Sequence, residues 1–130
     1  MVKMMSKIVQ AVNAMITNPR FITEVKEGGG EIFFLYKEKY AWSMKDDRAV
    51  KHLWYYPGNH SIDYLVDCAR SEMSWDGITM VHYNDGEIGT KEAKASFAEL
   101  FTMLKERVYG VNDVLNDIIS DLDDTDSPPF

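Results

Sequence analysis

Residues 21–57 read FITEVKEGGGEIFFLYKEKYAWSMKDDRAVKHLWYYP, and through most of this stretch apolar residues recur at every second position. That is the period of a strand, in which successive side chains point to opposite faces. Phe21, Thr23 and Val25 alternate with Ile22, Glu24 and Lys26, and Gly28-Gly29-Gly30 supplies a turn tolerant of positive φ. The run Ile32 to Tyr36 is apolar throughout, which suits a strand covered on both faces or one whose second face meets a partner. Tyr40, Trp42 and Met44 share a face of the next strand, and Asp46-Asp47-Arg48 forms a turn. Val50, His52, Trp54 and Tyr56 then alternate with Lys51, Leu53 and Tyr55 until Pro57-Gly58-Asn59 stops the strand. The stretch predicts a four-stranded antiparallel meander.

Outside it the period lengthens to that of a helix. Met5, Ile8, Val9, Val12, Met15 and Ile16 fall on one face of a helix over about 5–17, ended by Thr17-Asn18-Pro19. Ser61 can cap a second helix with Ile62, Leu65, Val66 and Ala69 inward, ending near Met73. Ile78 to Tyr83 reads as a fifth strand. Thr90 caps the longest helix, with Ala93, Phe97, Leu100, Phe101, Leu104 and Val108 inward and Gly110 at its end. A last helix carries Val111, Val114, Leu115, Ile118, Ile119 and Leu122 on one stripe. The expected architecture is α+β: one domain over 1–122 with two C-terminal helices packed on the sheet, and an acidic mobile tail over 123–130.

The composition fits this reading. With 130 residues, 45% hydrophobic and 27% charged, the chain can bury one core without disulfides or metal. No apolar run reaches the roughly 20 residues of a bilayer span, so no membrane partner is expected. The single cysteine, Cys68, excludes an internal disulfide and fits a cytoplasmic location. The net charge of −7 is uneven: residues 111–130 hold six aspartates and no Lys or Arg, which leaves 14 basic against 15 acidic residues before them. The densest basic cluster, Lys37, Lys39, Lys45, Arg48 and Lys51, is interrupted by Glu38, Asp46 and Asp47. It reads as solvated sheet turns, and nucleic acid is not an expected partner.

Three sets of residues could carry chemistry. Residues 85–92, DGEIGTKE, resemble the second half of an EF-hand calcium loop, with Gly86 at the turn and Glu92 as the closing carboxylate. The first two ligand positions of such a loop fall on Val81 and Tyr83, so the expected structure is a tight turn and a capped helix start. His52, His60 and His82 lie 8 and 22 residues apart, matching no metal-ligand spacing, and are expected at core or edge positions. No cofactor, metal or catalytic residue is assigned. The aromatic stretch offers another reading: if Tyr40, Trp42, Trp54 and Tyr56 pack on helices, then Tyr55, Leu53 and part of the 32–36 run face the other way. Phe33, Leu35, Leu53 and Tyr55 are then the candidate partner-binding residues.

The functional expectation is a small acidic, non-enzymatic protein-interaction module of the inhibitor, immunity or chaperone type. It would bind a protein, or a second copy as a homodimer, through the aromatic sheet face or the acidic C-terminal end. The alternative is a small enzyme or ligand-binding domain using His52, His60 and His82.

Overall fold

The computed structural model describes residues 6–70, 75 and 77–122. Met5, Met73 and the expected tail over 123–130 lie outside them. Helix α1 (Lys7–Thr17) leads through one 3-10 turn into four strands, β1 (Ile22–Gly28), β2 (Glu31–Tyr36), β3 (Tyr40–Asp47) and β4 (Val50–Tyr56). Helix α2 (Ile62–Arg70) then crosses the sheet, and β5 (Val81–Asn84) pairs beside β4. A one-turn helix α3 (Asp85–Ile88), the long α4 (Lys91–Tyr109) and α5 (Val111–Ile119) complete the chain. The five strands form one antiparallel sheet in the order β1-β2-β3-β4-β5. The α+β class, the single domain and the meander follow the sequence reading.

The helix boundaries are chemical. Ser6, Ser61 and Thr90 each accept a hydrogen bond from the backbone N–H three residues on, satisfying donors that the first turn leaves open. Gly110 closes α4 at φ 64°, a conformation glycine adopts without a side-chain clash. The guanidinium of Arg107 donates to the carbonyls of Ile22 (2.7 Å) and Pro19 (2.6 Å), so the end of α4 is tied to the start of β1.

Helices cover the sheet on both faces. On one, α1 and α4 bury Ile22, Ile32, Phe34, Met44 and Leu53 against Val12, Met15, Phe97, Leu100 and Leu104. On the other, α2 buries Phe33, Ala41 and Tyr56 against Ile62, Leu65 and Val66. This resolves the run of consecutive apolar residues in β2, whose two faces are both core.

Register corrects the expected distribution of aromatic side chains. Between β3 and β4 only Arg48 and Ala49 lie outside the ladder, both at positive φ (52° and 71°), as a two-residue hairpin turn requires. Asp47 therefore pairs with Val50, Met44 with Leu53 and Trp42 with Tyr55. Even positions of β3 share a face with odd positions of β4. Tyr40, Trp42, Leu53 and Tyr55 look toward α1 and α4, and Trp54 and Tyr56 look toward α2. A one-residue shift reverses every side chain of a strand.

The fifth strand begins at Val81, three residues later than the alternation suggested, because Ile78 closes a backbone turn onto the carbonyl of Trp75 (3.1 Å). Helix α5 departs from the expectation in another way: it packs chiefly against α4, and most of its apolar stripe is exposed rather than buried on the sheet.

Candidate functional site

Helix α5 is organised by rows four residues apart, which lie nearly in line along a helix of 3.6 residues per turn. One row holds Val111, Leu115 and Ile119, and the next Val114 and Ile118. These apolar rows are flanked on one side by Asp113, Asp117 and Asp121 and on the other by Asn112, Asn116 and Ser120. An amphipathic helix of this kind normally turns its stripe into the core. Here Val114 is 54% exposed, Leu115 47%, and Ile118 and Ile119 57% each. Together they present on the order of 350 Å² of aliphatic surface, the scale of the largest, often functional patch on a monomer. The acidic edge is uncompensated within the helix, since residues 111–122 contain no Lys or Arg.

The four aromatic-face candidates fare differently. Phe33 and Leu53 are both 0% exposed, under α2 and under α1 and α4 respectively, so neither has surface to offer a partner. Leu35 is half-buried beside Phe33, whereas Tyr55 is half-buried on the opposite face, its ring 4.9 Å from that of Trp42. The four do not form one surface, because the hairpin register separates them.

The sheet face under α2 carries the polar chemistry. Ser43, fully buried, donates to Glu31 Oε2 at 2.9 Å and pairs with the Tyr56 hydroxyl at 2.7 Å. With its only proton on Glu31, Ser43 accepts from Tyr56. Burial raises the Glu31 carboxyl above its usual range, an effect the Ser43 hydrogen bond and the Lys45 charge partly offset. Burial likewise holds the Tyr56 phenol far above its ordinary value, and it stays protonated.

Beyond this network, pairing places Trp54 opposite His82 and His52 opposite Asn84, so the two histidines are diagonal neighbours on adjacent strands. His52 Nδ1 lies 2.8 Å from His82 Nε2, with the ring planes 12° apart. The Trp54 indole lies near-parallel to both, at 5.0 Å from His82 and 5.5 Å from His52. Desolvation and the neighbouring His52 lower the His82 pKa, while the Glu87 carboxylate pulls it back up. His60 does not join them and lies against the ring of Tyr64 at the start of α2. Sequence spacing could not show the pair, because 30 residues separate its members and only β4–β5 register unites them.

Residues 81–92 are not a loop between two helices. Val81 to Asn84 are strand, and the Asn84 side chain caps α3 by accepting from Glu87 N–H at 2.7 Å. Asp85 is buried with its Oδ1 accepting from the backbone N–H of Lys51 at 3.0 Å, so its carboxylate holds the β4 start rather than facing an ion. Among the described residues no group of three or more His, Cys, Asp or Glu is placed to hold a metal. Cys68 is buried in α2, and no helix of the described residues is long and apolar enough to cross a membrane. Comparison with protein-family models, with curated proteins and with solved structures found no match to this chain.

Proposed function

We propose that the chain is a non-enzymatic protein-interaction module of the inhibitor, immunity or chaperone type, and that α5 is its docking element. The observation that carries this reading is the exposed stripe of Val114, Leu115, Ile118 and Ile119 on a helix that the other described residues leave uncovered. A short amphipathic helix with anchors spaced three and four residues apart is the form that enters an apolar groove on another protein. The charge pattern specifies the groove. Its floor is apolar, and the wall facing Asp113, Asp117 and Asp121 is basic, since complementary charge orients and accelerates encounter. A second copy is a poorer occupant: it would meet this acidic helix with another, and like charges across an interface are repulsive.

The test compares the tagged wild-type chain with Ile118→Asp in the cells that express it, alongside circular dichroism and sedimentation of both. A stoichiometric protein retained by the wild type and bound at least about 30-fold more weakly by a folded Ile118→Asp supports the reading, as expected for an interface anchor worth about 2 kcal/mol. Undiminished binding by Ile118→Asp overturns it. A wild-type dimer that Ile118→Asp converts to monomer assigns the stripe to a second copy and overturns the proposed partner chemistry.

A further inference from the structure

We propose that His52 and His82 form a two-imidazole site for a divalent first-row transition ion, with zinc, copper and nickel the ions suited to this ligand set. The inference rests on geometry independent of α5. Two neutral imidazoles whose ring nitrogens face each other at 2.8 Å share one proton, and when the donor ring loses it to water and takes a proton on its other nitrogen, both rings stay neutral and two lone pairs are directed at the same space. A metal–imidazole bond is about 2.0–2.1 Å, so an ion enters when the nitrogens separate to about 3–4 Å. The rings have room for this movement, since His82 is exposed and His52 half-buried on the last two strands of the sheet.

The positions of the rings are set before any ion arrives. The β4–β5 ladder fixes the two backbones, and Trp54 lies flat beside both rings and limits their rotation. Two histidines alone do not fill a coordination sphere, so water supplies the remaining ligands, and the site is open rather than closed. Lys45, paired with His52 in the ladder, and Glu87, facing His82, are the neighbouring charges; the first opposes a cation and the second favours one. Because Trp54 touches both ligands, it also reports on them.

The experiment adds zinc chloride to the full chain and follows melting temperature and the ring proton signals of all three histidines. Copper chloride is added separately, with tryptophan fluorescence as the readout. Wild type and His60→Gln are expected to show a saturable rise in melting temperature with zinc and quenching with copper. His52→Gln and His82→Gln should each bind zinc at least about 100-fold more weakly, since even losing a group that only orients a ligand costs 10–100-fold. In the wild type, zinc should shift the ring signals of His52 and His82 and leave those of His60 in place. No response up to millimolar zinc, an equal response in the His52→Gln or His82→Gln variants, or a shift confined to His60 overturns the proposal. Should those variants fail to fold, the wild-type ring signals alone decide it.

Discussion

Replacing Ser43 by Ala removes one hydroxyl that serves two partners in the core. The Tyr56 phenol, 2% exposed, loses its acceptor and cannot turn to bulk solvent, a loss of about 1–3 kcal/mol for a stranded buried donor. Glu31 loses the donor at 2.9 Å but is only half-buried and turns partly to water, which adds about 1 kcal/mol. Ser43→Ala should therefore cost about 2–4 kcal/mol. Tyr56→Phe removes a donor and leaves the Ser43–Glu31 bond intact, so it should cost about 1 kcal/mol. In the double variant no phenol remains to be stranded, and its cost should fall short of the sum of the single costs by about 1–2 kcal/mol. Urea unfolding of the four proteins, followed by both circular dichroism and tryptophan fluorescence, gives these differences directly. For a domain of this size 1 kcal/mol is worth roughly 3–5 °C in melting temperature, so Ser43→Ala should also be plain in a thermal scan. A Ser43→Ala cost below about 0.5 kcal/mol, or single costs that simply add, would refute the shared-hydroxyl account.

Three further outcomes follow from the same geometry. Glu31 binds its proton more tightly folded than unfolded, so between the ordinary value near 4.3 and its raised folded value stability falls as pH rises. Glu31→Gln should thus be more stable than wild type at pH 7, an advantage that disappears when unfolding is measured below about pH 4. Leu53→Ala opens a cavity under α4 and should cost about 2–5 kcal/mol in urea unfolding, a range a surface leucine would not reach. Gly29→Ala forces a side chain at φ 61° and puts its Cβ 2.6 Å from the Ala69 carbonyl oxygen, whereas Gly30 at φ 84° has nothing within 4 Å. The Gly29 variant should melt well below the Gly30→Ala variant, which bears backbone strain alone.

How much of this was legible in the sequence differs from element to element. The meander, the Ser61 and Thr90 caps and the Gly110 stop were readable because they depend on local periodicity and on side chains acting within a few residues. The partition of aromatics between faces was not. It turns on whether two or three residues separate β3 from β4, and KDDRAV carries no glycine or asparagine to mark Arg48 and Ala49 as the positive-φ pair. Phe33 and Leu35 are divided from Leu53 and Tyr55 for that reason. The stripe of α5 was legible, but its exposure was not, since an amphipathic pattern says which face is apolar and not what covers it. The His52–His82 contact needed the β4–β5 register, a long-range quantity with no local signature.

Whether α5 enters a groove on another protein is read out by a photo-crosslinking side chain placed on each of its faces. Incorporated at Ile118, within the exposed apolar rows, the crosslinker should yield one discrete adduct with a second protein on irradiation of the cells that express the chain. At Asn116, on the amide row across the helix, it should yield none, because a helix seated in a groove keeps its polar side in water. Equal adducts from both positions, or none from Ile118 in a chain shown to be folded, would contradict the claim.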